Sequence, residues 1–289
     1  MAKKVIPVYS IENFKHFKTQ NDFYTNSMKQ HLAEHHFTAT PHKHDFFLTV
    51  MFTKGYGTHD IDFTSYKIAP GSVFLLTPGQ THNWKLSNDI DGYIFFHTKN
   101  FYDESSVTSI LNFPFFNSIH SPPIVLLSSK NKEKIKNLFI DINTEYLENN
   151  LLKNQKLHAL VTLAYIELSR LYKEKEISSN QTYRSKLRQL ENLIDLNFKT
   201  IKYATDYANL MAISEKHLNR ISKTCLNKTT TDIITDRIIL EAKRILTHTS
   251  ASISEISEDL GYLDHSYFAR LFKKKTGKTP LEFRKKNRY

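Results

Sequence analysis

The sequence predicts an α+β multidomain chain, a mainly β N-terminal part with a helical connector followed by an all-α C-terminal part. Three observations carry that expectation. A length of 289 residues suggests two ordinary domains. The hydrophobic period changes from two to helical after Pro122-Pro123. The formal charge of +11 at pH 7 is also unevenly shared, with 21 Lys and Arg against 12 Asp and Glu in residues 181–289, but 19 against 17 in residues 1–180. A near-neutral larger part joined to a small basic one suggests a sensor attached to a nucleic-acid reader, although a merely soluble basic surface has the same composition.

Composition excludes several classes. Hydrophobic residues at 40%, charged residues at 24%, and only 7 Gly and 8 Pro make the chain too apolar and too poor in breakers to be disordered or fibrous. Cys225 is the single cysteine, which excludes a disulfide framework and a Cys-rich zinc site and points to a reducing compartment. Lys3 and Lys4 are followed only by Val5-Ile6-Pro7-Val8 before polar residues, so a signal peptide's apolar stretch is lacking, and no run is long enough to span a bilayer. The expectation is a soluble, cytoplasmic protein with no membrane partner.

From about Phe37 to Thr98 the chain reads as strands at Phe46–Phe52, Ile61-Asp62-Phe63, Val73–Leu76 and Tyr93–Phe96. Turn signals at Gly55-Tyr56-Gly57, Pro70-Gly71, Pro78-Gly79 and Asp91-Gly92 separate them, as in a small antiparallel barrel or sandwich. A helix follows from Asn131 through Ile135, Leu138, Phe139, Ile142 and Tyr146. A second, from about Leu152 to Lys175, carries one apolar stripe through Leu157, Leu160, Val161, Ala164, Leu168, Leu171 and Tyr172, with Lys156, Glu167, Arg170 and Lys173 off it. That stripe either packs on the β domain or forms a dimer seam. Ser178-Ser179-Asn180-Gln181 reads as a short polar linker.

The last hundred residues contain a weak internal repeat at an offset of 50. Ser214–Lys223 sets against Asp264–Lys273, pairing Leu218 with Phe268 and Ile221 with Leu271 as buried positions, and Arg220 with Arg270 and Lys223 with Lys273 as cations. Each copy opens with an N-cap residue, Ser214 or Asp264. A shorter helix precedes each, Thr205–Met211 and Ile253–Leu260, the latter with a Ser252/Glu255 capping-box pattern. Tight turns at Ala212-Ile213 and Gly261-Tyr262-Leu263 complete the pattern of helix-turn-helix DNA binding. Thr231–Thr247 reads as one connecting helix of about 25 Å, enough to hold two recognition helices in neighbouring major-groove segments.

These residues resemble the DNA-binding domain of AraC/XylS-family transcription regulators. The second copy carries most of the likeness, through Gly261–Lys274, Thr276-Gly277-Lys278-Thr279-Pro280 and Phe283-Arg284. The first matches through Asp206-Tyr207-Ala208, Ile213-Ser214, His217-Leu218 and Ala242–Leu246, and departs at Asn227, where the second has Gly277. Asn still tolerates the left-handed cap wanted there. The resemblance implies a regulatory and dimerisation domain over residues 1–177, with a cupin-like barrel at about 30–125 and helices at about 130–176. The DNA-binding domain then covers 178–289, with helix-turn-helix units at about 203–226 and 252–277 and a linker helix at about 231–247.

The family's contact positions fall on Lys216, Asn219 and Arg220 in the first copy and on His265, Ser266 and Arg270 in the second. The chemistry suits base edges: Arg and Lys donate to guanine, Asn pairs with adenine, and Ser or His donates or accepts. Lys223, Lys273, Lys274, Lys275 and Lys278 are assigned to phosphate. Each of these cations has an alternative as a solvated helix face. Cys225 continues the Leu218-Ile221 stripe and reads as a small core residue.

In the N-terminal part, Pro41-His42-Lys43-His44-Asp45 and Pro78-Gly79-Gln80-Thr81-His82-Asn83-Trp84 resemble a cupin barrel, in which a His-x-His pair and a later His bind metal together with a carboxylate. Leu48 replaces the expected Glu, and Asp45 points away from His44, so a metal-free domain without cofactor or catalytic residues is expected. His42, His44, His82 and Trp84 then line a small-molecule effector pocket or sit as satisfied polar residues at a barrel rim. The reading is a sequence-specific transcription regulator, not an enzyme, with double-stranded operator DNA, a small-molecule effector, RNA polymerase and a second copy of the chain as partners. Its rivals are a metal-dependent cupin enzyme fused to a DNA-binding tail and an architectural DNA binder.

Overall fold

The computed structural model describes residues 7–14, 22–35, 40–103, 109–116, 121–172 and 181–287. The chain divides into two compact units, residues 7–174 and the remainder, dominated by 175–289. Each has its own core. The start of the first expected strand at Phe37, Lys3 and Lys4, the end of the second connector helix and all of the expected linker except Gln181 lie outside the described residues.

In the N-terminal unit, β2 (Phe23–Ser27), β4 (Phe47–Lys54), β7 (Ser72–Leu76), β9 (Asp91–His97) and β10 (Ile124–Leu126) form a five-stranded sheet in the order β10-β7-β4-β9-β2. The strands β5 (Gly57–Ile61), β6 (Thr64–Ile68) and β8 (His82–Leu86) form a second sheet, and β1 (Val8–Tyr9) pairs with β3 (Lys43–His44). Among the described residues the ladders establish a β-rich domain of three sheets, and one core joins residues of the two larger ones.

The apolar run over Phe46–Phe52 lacks polar alternation because both faces of the larger sheet are covered. Leu48, Val50 and Phe52 join Phe74, Leu76, Trp84, Ile94 and Phe96 in one core. Phe47, Met51, Val73, Leu75 and Phe95 point the other way into a second. The register agrees, setting Leu48 opposite Phe96 and Leu76, and Val50 opposite Ile94 and Phe74.

The second core is closed by α3 (Ser129–Leu147) and α4 (Lys153–Leu171). Leu157, Val161, Ala164, Tyr165 and Leu168 are buried there, with Leu160, Leu171 and Tyr172 packed at its edge. The apolar stripe of α4 is thus covered within its own domain and is not a bare dimer seam. The off-stripe residues bridge the two helices, Glu167 to exposed Lys134 at 2.6 Å and exposed Lys156 to the buried Glu145 at 2.5 Å.

Two local expectations change. Ile61-Asp62-Phe63 is the end of β5 and a hairpin turn, in which Asp62 adopts φ 52° and Ile61 faces Thr64. Asp tolerates that left-handed conformation better than most residues, and here its carboxylate accepts the Thr81 N–H at 3.2 Å. The segment around His82 is strand β8, and β2 precedes all the strands read from the sequence. After β2 comes α1 (Met28–Glu34), capped by Ser27; α2 (Lys99–Asp103) follows β9.

The C-terminal unit comprises α5 (Gln181–Asn197), α6 (Ala204–Leu210), α7 (Glu215–Leu226), α8 (Thr230–His248), α9 (Ile253–Asp259), α10 (His265–Thr276) and α11 (Pro280–Asn287). One core joins them through Leu190, Tyr207, Leu218, Ile221, Cys225, Ile234, Ile238, Ala242, Leu246, Ile256, Phe268 and Phe272. In α10 the deep positions are Phe268 and Phe272, while Leu271 is only half-buried. Cys225 is buried at 3% exposure among these apolar side chains.

The turns of the two helix pairs share their hydrogen bonds. Ala212 N–H donates to Asn209 and Ile213 N–H to Ala208; Gly261 N–H donates to Glu258 and Tyr262 N–H to Ser257. Both turns need positive φ, 52° at Ala212 and 78° at Gly261. Glycine is required at 261 for a second reason, since a Cβ there would lie 1.9 Å from the Lys199 carbonyl oxygen. Leu263 is the extra residue before the next helix, which is why the repeat's offset slips from 49 to 50. At the far ends, Asn227 (φ 52°) and Gly277 (φ 75°) supply equivalent left-handed caps.

Candidate functional site

Helix α7 begins at Ser214, whose hydroxyl accepts from the His217 N–H, and α10 begins at Asp264, whose carboxylate accepts from the Tyr267 N–H. Burying Leu218, Ile221 and Cys225 on one side of α7 turns Lys216, Arg220 and Lys223 outward. Burying Phe268 and Phe272 does the same for Ser266, Arg270, Lys273 and Lys274 on α10. The first set borders an open groove of about 570 Å³ lined by Lys216, Asn219, Arg220, Lys223, Thr224, Thr229 and Thr231. Arg220 donates to His217 Nδ1 at 2.8 Å and lies over the Tyr183 ring.

Several predicted contacts are engaged inside the domain. Asn219 Oδ1 accepts the Thr230 N–H at 3.0 Å, so this side chain satisfies the opening turn of α8. The His265 ring turns back to α9, where Nε2 meets Ser254 Oγ at 2.8 Å and lies 3.4 Å from Glu258. Lys275, assigned to phosphate from the sequence, is tied to Asp232 at 2.8 Å and Asp236 at 3.1 Å on α8. Lys278 lies beside Lys286, which lowers its pKa. Arg284 donates to the carbonyls of Leu246 and Ala251. Sequence reasoning missed the threonines of the groove. Their signal was the Thr229-x-x-Asp232 capping box that starts α8, present in full.

The N-terminal histidines converge. His42 and His44 both point inward while Lys43 between them does not, and Asp45 is exposed. His82 and Trp84 alternate inward from β8 in the same way. An isolated bridge pairs His42 with His82, and the ring centroids of His42, His44 and His82 lie 4.4–4.8 Å apart. Trp84 is 5.3 Å from His82, so all four predicted residues share one buried cluster.

Sequence reasoning missed His59, which lies opposite Trp84 across the β5–β8 ladder and bonds His82 Nδ1 through Nε2 at 2.8 Å. Its signal was the period-two alternation with Ile61 along β5. His59 Nδ1 and Trp84 Nε1 are buried without a hydrogen-bond partner. Burial lowers the pKa of His42, His44, His59 and His82, and repulsion between rings adds to it at His44, His59 and His82. These imidazoles are neutral at physiological pH. Three of them, His42, His44 and His82, each offer a nitrogen within 4.8 Å of the others.

A family model described as a helix-turn-helix domain matches residues 207–286, from α6 into α11, and another described as an AraC-like ligand binding domain matches residues 28–98. The chain is thus a DNA-binding transcription regulator of the helix-turn-helix type that also carries an AraC-like ligand binding domain. This regulator is similar to the HTH-type transcriptional activator RhaR of Enterobacter sp. strain 638, 22% identical over 249 residues that cover 86% of this chain and 87% of that protein. It is also similar to the HTH-type transcriptional regulator YfiF of Bacillus subtilis strain 168, 23% identical over 86% of this chain and 80% of that one. Among solved structures, the C-terminal domain of AraT, a response regulator from Geobacillus stearothermophilus, is 26% identical with a TM-score of 0.34, covering 35% of this chain and 85% of that one. The regulator thus joins a DNA-binding domain to a ligand-binding-type domain. Among the described residues no helix is long and apolar enough to cross a membrane.

Proposed function

We propose that this regulator reads operator DNA through two recognition helices, α7 and α10, and that a small molecule held in the cupin-like N-terminal domain controls the binding. It acts as a regulator and not as an enzyme, as do its relatives named as transcription regulators. The carrying observation is that two helices, each capped at its start and preceded by the same hydrogen-bonded turn, expose a cationic face opposite a buried apolar one.

On this reading Lys216, Arg220, Ser266 and Arg270 reach base edges, while Lys223, Lys273 and Lys274 neutralise phosphate. Asn219 and His265 first brace the fold and approach DNA from fixed positions. The effector acts only if it binds two arrangements of the protein with different affinity. The cluster of His42, His44, His82 and Trp84 is its proposed seat, a homodimer the proposed form on DNA, and RNA polymerase a further proposed contact.

The test is selection of bound duplexes from a random pool by the full-length protein at near-physiological salt. The expected product is a motif with two major-groove segments about one helical turn apart. Recovery of no motif by either the full chain or residues 181–289 would refute sequence-specific reading.

A further inference from the structure

The buried histidines of the N-terminal domain take no part in DNA reading, yet their nitrogens are arranged in a directed way. His42 Nδ1 lies 2.7 Å from the Thr40 carbonyl oxygen. A carbonyl only accepts, so Nδ1 carries the proton and Nε2 is left with the lone pair. His82 Nδ1 shares one proton with His59 Nε2 across 2.8 Å. With that proton on His82, its Nε2 also presents a lone pair, and this atom faces His44 Nε2 at 3.2 Å.

Two nitrogens bound to one tetrahedral ion at 2.0–2.1 Å lie about 3.3 Å apart, so the observed spacing is that of an ion's coordination edge. A hydrogen bond between the two rings fills the same gap only by placing a proton on one of them; an ion takes that place while the proton moves to the ring's other nitrogen. His59 and the Thr40 carbonyl stand where outer-shell groups stand around metal-bound histidine, fixing tautomer and ring orientation.

We infer that His42, His44 and His82 bind one divalent transition-metal ion of the zinc class through their Nε2 atoms, with His59 orienting His82 from outside the site. The donor set selects the ion. Three imidazoles suit zinc, iron, nickel and copper and are poor ligands for magnesium or calcium, and among the described residues no carboxylate or thiol joins the cluster. Three protein ligands leave a fourth position open. This set departs from the His-x-His-plus-carboxylate pattern against which the sequence was read: no acidic side chain completes it, and a fourth histidine does the orienting. As an effector site, the cluster rests on the regulatory reading above; binding of the ion does not.

Full-length protein stripped with chelator and titrated separately with Zn²⁺, Co²⁺ and Mg²⁺ tests this. One equivalent of Zn²⁺ or Co²⁺ is expected, with no Mg²⁺ binding at the same concentrations. His44→Gln and His82→Gln should each weaken binding by at least about 100-fold, and His59→Asn by about 10- to 100-fold. X-ray absorption of the Zn-loaded wild type needs no variant and should show three imidazole nitrogens at about 2.0 Å. Absence of stoichiometric binding, a full equivalent retained in both glutamine variants, or fewer than three imidazoles overturns the site. A selected operator then reads the effector role: bound Zn²⁺ should shift its affinity in the wild type and not in His44→Gln. A bound ion that leaves operator affinity unchanged overturns that role alone, because the duplex selection judges DNA reading with no ion added.

Discussion

The two domains handle ionisable side chains in opposite ways. The N-terminal domain buries His31, His42, His44, His59, His82 and His97 and holds them neutral. The C-terminal domain sets Lys216, Arg220, Lys223, Arg270, Lys273 and Lys274 on the surface. A buried neutral ring acts through a fixed lone pair at short range, whereas an exposed cation acts through a field that salt screens. The same contrast recurs inside the C-terminal domain. Lys202, Lys275 and Arg284 are cations by composition, but they spend their donors on carbonyls or carboxylates of their own fold. Burial pushes Lys202 down to about 8, with Lys199 adding to it. Net charge therefore overstates the charge available to DNA.

The largest effect that would sharpen the contrast is acid sensitivity confined to the N-terminal domain. His97 is fully buried; its Nδ1–H donates to the Thr98 carbonyl at 2.8 Å, and its Nε2 accepts from the Tyr165 hydroxyl at 2.7 Å. The Tyr165 oxygen in turn receives the Thr49 hydroxyl at 3.1 Å, since its own proton is already given to His97. Burial lowers the His97 pKa to about 4, with the Thr98 carbonyl and Asp103 opposing and His158 assisting.

Between pH 4 and the unfolded value near 6.5 the unfolded chain binds the extra proton, so stability is full above that window and falls as pH drops through it. His97 alone should remove about 3 kcal/mol of N-terminal stability by pH 4. Denaturant titrations followed domain by domain would check this; equal losses in both domains would break the comparison. Tyr165→Phe at neutral pH should cost about 1–3 kcal/mol, because it leaves Nε2 without its donor.

Next in size is the split within the exposed cations. Arg220→Ala should weaken specific binding by about 1–3 kcal/mol and relax one operator position. Lys274→Ala should weaken all sequences alike and reduce the salt slope by about one. Binding isotherms on a selected operator and on random duplex, at several salt concentrations, measure both. Equal losses on the two duplexes from Arg220→Ala would remove this residue from base reading.

How much of this was legible depended on whether a residue's partner lay nearby in sequence. Caps, turns and the left-handed ends at Asn227 and Gly277 follow from local chemistry, and the sequence pattern predicts them closely. The inward alternation of His42, His44, His82 and Trp84 is also local, although their meeting point is not. His59 escaped notice because its role comes from strand register, which places it opposite Trp84 and beside His82. Lys275 and Asn219 were assigned to DNA because helix periodicity places them on α10 and α7 but says nothing of α8 packed alongside. The sheets were legible as strands, but the path of their ladders, which sets β4 between β7 and β9, was not.

The smallest effect tests whether bracing and reading are separable in one side chain. Asn219 sits on the groove-lining face of α7, yet its Oδ1 holds the Thr230 N–H, and Thr230 Oγ1 also meets Ser222 Oγ at 3.0 Å in a buried pair. Asn219→Ala should cost about 1 kcal/mol of C-terminal stability, the usual scale for losing a side-chain bond to an opening helical turn. Asn219→Asp keeps the acceptor and loses the amide donor, so it should restore stability while placing a negative charge at the DNA face. A brace that does not read DNA predicts that the Asp variant loses affinity equally on all duplexes. A reader predicts in addition a changed base preference at the operator position beside Arg220. Thermal melting with parallel operator selection separates the two, because only the second outcome requires the amide to reach a base.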